Sequence, residues 1–376
     1  MRGLIATLAV LFGLFAAPAF AQEAPPAPSV QNAPEIPFES VPFLKLTPDR
    51  NLGEVLGVAV NSKGHVVVLN HPGSAGSGPV YGESTTQIME FDEKGNFVRE
   101  IGRGVYGLAY AHSVRFDKYD NLWVVDKATM SVMKFDPQGM VVMNLGRRDE
   151  GPDEPRYRHA DPPPTPVDGY FNGSTDVTWD RDDNIYVSDG YFNSEIAKFD
   201  KHGYWLKRWG APGKGGEHAN ENAGHFSNPH NIGIDRADNI YVADRGNRRI
   251  QVFDTDGNFK KFIFLNVPYD KTRHPVLGNM PATRPDETRP WTICITNTTP
   301  QYLYTSDEEP GRIYKLSLPD GKIVSVLGKS GREIGQFNWV HGIACPDENT
   351  LYVADMNNWR LQKLLLHPDK KLVSNK

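Results

Sequence analysis

A short motif returns along this chain in a fixed frame, and that self-similarity limits the folds open to it. DNIYVSDGYFNSEIAKFDKHG at 183–203 is followed by DNIYVADRGNRRIQVFDTDG at 238–257, and DNLWVVDKATMSVMKFDPQG at 120–139 has the same layout. QYLYTSDEEPGRIYKLSLPDG at 301–321 and NTLYVADMNNWRLQKLLL at 349–366 keep it more loosely. A divergent first copy starts with GHVVVLNHPG at 64–73 and resumes with QIMEFDEKGNFVREIG at 87–102. Within a copy, apolar residues alternate with polar ones in runs of about five, bounded by Asp-Asn or Asp-Gly turns, which is hairpin chemistry. Each copy reads as a four-stranded unit that cannot bury both its faces alone and stacks on its neighbours. Six such units predict an all-β, six-bladed β-propeller. The last copy stops after three strands, so the ring needs a strand from elsewhere. Pro42–Leu46 is the expected donor, closing a sheet edge that would otherwise be open.

The ends carry different signals. Arg2, an apolar run from Leu4 to Phe15 broken only by Thr7 and Gly13, and the small residues Ala19 and Ala21 form a secretory signal peptide over 1–21. The run is short for a membrane span of about 30 Å. Export to a periplasm or beyond is therefore expected, with no transmembrane segment left after cleavage. Residues 22–41 are rich in Pro and Ala and read as a linker, 42–367 as the propeller and 368–376 as a polar tail. The formal net charge is −5 and no basic stripe stands out, which argues against a nucleic-acid partner. A small-molecule or peptide substrate, or an envelope protein, is the expected partner class. Two cysteines, Cys294 and Cys345, lie far apart with no CxxC motif. An oxidising compartment permits a disulfide, and two buried thiols are the alternative.

The repeat frame shows which residues are equivalent around the ring. His112, His230 and His341 each fall fourteen residues before the Asp that ends the YVxD-type strand, namely Asp126, Asp244 and Asp355. The same count gives Thr175 in the third copy and Ile293 in the fifth. The histidines thus occupy alternate copies, at the start of the strand expected to line the central channel. Equivalent positions in alternate blades of six are related by a pseudo-threefold axis. Three imidazoles would converge on it, a donor set for Zn²⁺ with one open position. Imidazole also suits iron, copper and nickel. The competing reading is structural, with each histidine bonding the next blade. The segments 71–86, 147–169 and 266–290 exceed what the repeat needs, and long insertions of this kind are often functional.

The repeats are of the NHL type. AHSVRFD (111–117), SDGYFNSEIAKF (188–199), FSNPHNIGI (226–234), ADRGNRRIQVF (243–253) and WVHGIA (339–344) further resemble the peptidyl-α-hydroxyglycine α-amidating lyases. That resemblance implies a zinc held by His112, His230 and His341, a catalytic tyrosine at Tyr191 and a substrate-binding arginine at Arg245. It implies cleavage of a carbinolamide C–N bond to an amide and glyoxylate. It also implies a channel Ca²⁺ bound through the backbone of Val58 and Val114 and through an aspartate. Here that aspartate is Gly342, which removes a charged ligand. Asn70–Gly73 stands where the family has an arginine, Trp339 replaces a methionine, and Phe192 replaces a disulfide cysteine. Arg147, Arg148, Arg156 and Arg158 in the longest insertion are candidates to replace the arginine. A non-catalytic propeller presenting a loop-rich face to an envelope protein or glycan is the alternative function. A lactonase-like site is a third, but it needs channel carboxylates that the frame does not supply.

Overall fold

The recurring Asp-Asn pairs fold the chain locally before any blade forms. Asp235 accepts hydrogen bonds from the backbone N–H groups of Ala237 and Asn239 and from the Asn239 side chain, while the Tyr241 hydroxyl donates to its second oxygen. Asp180 repeats the arrangement with Asp182, Asn184 and Tyr186, and Asp117 does so with Tyr119, Asn121 and the Trp123 indole. The aspartates inside these turns, Asp120, Asp183 and Asp238, have positive φ, a conformation Asp tolerates at modest cost. Each turn joins the innermost strand of a blade to the second one.

The computed structural model describes residues 29–72, 86–146, 165–213, 222–269, 288–307, 310–367 and 369–370. Among them are six four-stranded antiparallel sheets, the blades of a six-bladed propeller. Their innermost strands are Glu54–Val60, Ala111–Phe116, Ser174–Trp179, Pro229–Ile234, Cys294–Ile295 and Val340–Ala344. Apolar faces of successive blades meet in shared cores, such as that of Trp123, Val132, Phe171, Val187 and Phe199 between the second and third blades. The expected signal peptide, residues 73–85 of the 71–86 segment, residues 270–287 of the 266–290 segment, and Arg147, Arg148, Arg156 and Arg158 lie outside the described residues.

Ring closure differs from expectation in register. The donated strand is Phe38–Val41, paired antiparallel with Arg360–Leu366 from Phe38 opposite Leu366 to Val41 opposite Lys363. Residues 34–36 also belong to the fold, because the Ile36 N–H donates to the Val326 carbonyl and the Val326 N–H to the Pro34 carbonyl, and Ile36 is buried with Leu327 and Phe337. The linker therefore ends earlier than position 41. Pro42–Leu46 instead runs past the first blade, where the Lys45 N–H donates to the Gly95 carbonyl and Phe43, Leu44 and Leu46 cover apolar surface. Apolar content alone does not separate the two segments. What decides is that Ile36 and Phe38 reach the groove between the fifth and sixth blades. Cys294 and Cys345 form a disulfide joining those same two blades, resolving the two alternatives in favour of the bond.

A chain beginning at Pro42 should fold with similar β content but lower stability. Loss of buried Ile36 and half-buried Phe38 is expected to cost about 3 kcal/mol, read as a lower urea midpoint at unchanged m value. An unchanged midpoint would show that the closing strand contributes nothing.

Candidate metal centre

The strand-ending aspartates set the position of the histidines. Asp126 accepts from the Tyr110 N–H, Asp189 from Asn172, Asp244 from Ser227 and Asp355 from Asn338. All four carboxylates are buried, and desolvation raises their pKa values above the usual range, that of Asp189 to about 7. Each carboxylate pins the segment two or three residues ahead of the position found by counting. The ladder then skips one residue between Ala111 and Ser113 and between Val340 and Gly342, and two between Pro229 and Ile232. This bulge turns His112, His230 and His341 out of the pairing register and into the channel.

All three imidazoles are buried, and their ring centroids stand 4.7, 4.7 and 5.1 Å apart. Each Nδ1 lies against a backbone carbonyl of the next blade: His112 on Thr175 at 2.7 Å, His230 on Trp291 at 3.0 Å and His341 on Leu56 at 2.9 Å. A carbonyl can only accept, so Nδ1 carries the proton and Nε2 keeps a lone pair. The structural role weighed for these histidines is therefore real, and it coexists with a shared centre. Their ligand atoms all lie within 4.8 Å of one another, the one grouping of this kind among the described residues. His230 Nε2 is buried without a hydrogen-bond partner, an orphaned acceptor that a metal ion would satisfy. The three residues fit a transition metal held through imidazole nitrogen.

Burial pushes the pKa values of His112 and His230 well below the ordinary imidazole range and that of His341 down to about 3. The neighbouring imidazoles, Lys127 and Arg245 push in the same direction, while the backbone carbonyls oppose it. Neutral imidazole is the form that binds a metal.

Tyr191 lies against the imidazole cluster. Its hydroxyl donates to His112 Nε2 at 3.0 Å, and its ring meets the His112 ring edge-on with centroids 5.3 Å apart. Arg245 begins the turn after Asp244, and its guanidinium stacks on the Trp291 ring at 3.9 Å. Counting misses one equivalence. In the fifth blade the residue acting like Thr175 and Leu56 is Trp291, two before Ile293, because that blade's inner strand is reduced to Cys294–Ile295.

Below the imidazoles, a cavity of about 740 Å³ continues through the channel, lined by Asn61, Arg115, Asp176, Asn231 and Gly342 among others. The Arg115 guanidinium crosses it. It pairs with both oxygens of Asp176 at 2.8 and 2.5 Å and donates to the carbonyls of Ile232 and Ile293 at 2.9 and 2.8 Å. No group of acidic ligands gathers around Val58 and Val114 among the described residues. A Cβ at Gly342 would lie 2.9 Å from the Leu56 carbonyl oxygen, so an aspartate there requires the first and sixth blades to shift. The channel calcium that the resemblance implies thus lacks its carboxylate, and a neutral Arg115–Asp176 ion pair occupies this stretch of channel instead. Sequence reasoning did not single out Arg115. A charged residue facing the channel, one strand turn below a histidine, was the available signal.

Residues 226–253 match the NHL repeat family model. The chain is 28% identical over 335 residues to the peptidylglycine alpha-amidating monooxygenase of Rattus norvegicus, covering 84% of this chain and 30% of the relative. It therefore spans less than a third of that protein's length. It is 27% identical to a probable peptidyl-alpha-hydroxyglycine alpha-amidating lyase of Caenorhabditis elegans, covering 85% of this chain and 84% of the relative. A gluconolactonase structure from Xanthomonas campestris superposes with a TM-score of 0.55 at 12% identity, over 92% of this chain and 99% of the other, a likeness of fold alone. The protein is an NHL-repeat six-bladed propeller that resembles the amidating lyases.

The depressed imidazole pKa values have a stability consequence for the metal-free protein. The unfolded chain takes up these protons near pH 6.5, whereas the fold holds them off to about 3 at His341. Stability from this source is complete above pH 6.5 and is lost as the pH falls below it. Asp189 and Glu195, raised to about 7 and 8, act in the opposite sense in every variant. The melting temperature of metal-free His341→Gln should therefore fall less steeply between pH 6.5 and 4 than that of the metal-free parent. Parallel profiles by calorimetry would contradict this.

Proposed function

We propose that this protein is an exported, metal-dependent carbon–nitrogen lyase acting on a carbinolamide that carries a carboxylate, such as a peptide ending in α-hydroxyglycine. The observation that carries this reading is the contact between Tyr191 and His112 Nε2, which sets a phenolic proton carrier against a three-imidazole donor set. The names of the amidating relatives support the same substrate class. The disulfide supports an oxidising compartment, and no helix among the described residues is long and apolar enough to cross a membrane.

His112, His230 and His341 would hold the metal through Nε2, with Zn²⁺ the proposed ion. Once bound, it would supply Lewis-acid polarisation of the substrate hydroxyl. Tyr191 would act as its phenolate, the proton it donates to His112 Nε2 in the metal-free site having been released to solvent, and would take the hydroxyl proton as the carbonyl of glyoxylate forms. The C–N electron pair moves to nitrogen, which takes a proton back and leaves as the amide. Arg245, steadied by its stack on Trp291, binds the substrate carboxylate. The carbonyls of Thr175, Trp291 and Leu56 keep each imidazole in the tautomer that leaves Nε2 free.

Purified without an affinity tag, the protein should contain about one equivalent of transition metal by elemental analysis. Changing any one of the three histidines to Ala should release it. An acylated α-hydroxyglycine should yield glyoxylate, and Tyr191→Phe should lower kcat by about 100-fold or more with metal retained. A protein devoid of metal, or one releasing no glyoxylate, would favour the non-catalytic scaffold.

A further inference from the structure

The turn that follows Asp126 places a cation beside this centre, and no carboxylate among the described residues pairs with it. The Lys127 ammonium lies 4.4 Å from the centroid of the Tyr110 ring and 4.4 Å from that of Tyr191, the tyrosine whose hydroxyl touches His112. All three side chains are half-buried. The Lys127 N–H donates to the Tyr110 carbonyl, which fixes the base of the side chain. The adjoining carboxylate, Asp126, is buried and committed to the N–H groups of Tyr110, Ala128 and Thr129. Among the described residues, none forms an ion pair with the Lys127 ammonium.

A partly desolvated ammonium between two aromatic faces keeps its charge by cation–π attraction but still has donors to spare. Its field reaches the imidazoles, where Lys127 and Arg245 both disfavour protonation of His112 and His341. Two cations therefore bear on the same buried cluster, one through the Tyr191 side and one through the Trp291 side. Such a surrounding attracts an anion.

We infer that Lys127 is a second anion-binding residue of this site, and that together with Arg245 it selects ligands bearing a carboxylate. This rests on the lyase reading for the identity of the substrate, but the anion pocket itself is tested without turnover. The ammonium donates directly to a carboxylate oxygen and discriminates an acid from its uncharged amide.

The test uses N-benzoylglycine and N-benzoylglycinamide, which lack the reacting hydroxyl, titrated by calorimetry into the metal-loaded protein at low salt. Lys127→Met should weaken binding of the acid by about 10- to 100-fold while leaving the amide unaffected, and Lys127→Arg should restore most of the loss. Equal affinity of the parent and Lys127→Met for the acid would overturn the inference. Equal weakening for acid and amide would also overturn it, since that marks a packing role. A parent that binds neither ligand overturns it as well. Acid binding that depends on Lys127, in a protein that releases no glyoxylate, would sustain the anion pocket and remove the lyase reading alone.

Discussion

The buried carboxylate that ends the second strand of a blade is the contact on which the rest of this structure depends. Asp126, Asp189, Asp244 and Asp355 each reach back to an N–H just ahead of the innermost strand. A buried carboxylate is costly unless its lone pairs are filled, and here they are filled by neighbouring backbone and side-chain donors. Asp244, for example, also pairs with the fully buried Arg249. The result is a rigid corner at the mouth of the channel in each of these blades. The ladder bulges beside that corner, and the bulged residue points inward.

Three of the bulged residues are histidines in alternate blades, and each is held by the blade that follows. The Nδ1-to-carbonyl bonds therefore do two things at once. They tie the second blade to the third, the fourth to the fifth and the sixth to the first, and they fix which nitrogen faces the axis. Orienting an imidazole through a backbone carbonyl on its far nitrogen is the usual second layer of a metal site. The inter-blade bonds and the convergent donor set are parts of one arrangement, so the two readings posed by the sequence do not exclude each other.

The channel below has a different electrostatic solution from the one the resemblance implied. Close approach of the first and sixth blades at Gly342 leaves little room for a carboxylate. Arg115 instead spans from the second blade to Asp176 in the third and to carbonyls of the fourth and fifth. One guanidinium has enough donors, in a fixed plane, to serve all three.

The propeller, the count of blades and the phase of the three histidines were legible in the sequence, because repeats impose equivalence and equivalence implies symmetry about an axis. Tyr191 and Arg245 were singled out only through motif resemblance. The tertiary structure decided what the frame does not encode. Phe38–Val41 closes the ring instead of Pro42–Leu46, since strand choice depends on which apolar side chains reach an inter-blade groove. Trp291 serves in place of Ile293, since a shortened strand breaks the count. The Cys294–Cys345 bond, the Arg115 strut and the placing of Lys127 against Tyr110 and Tyr191 all join different parts of the ring. Local pattern fixes which residues are equivalent; distances between blades appear only when the ring is closed.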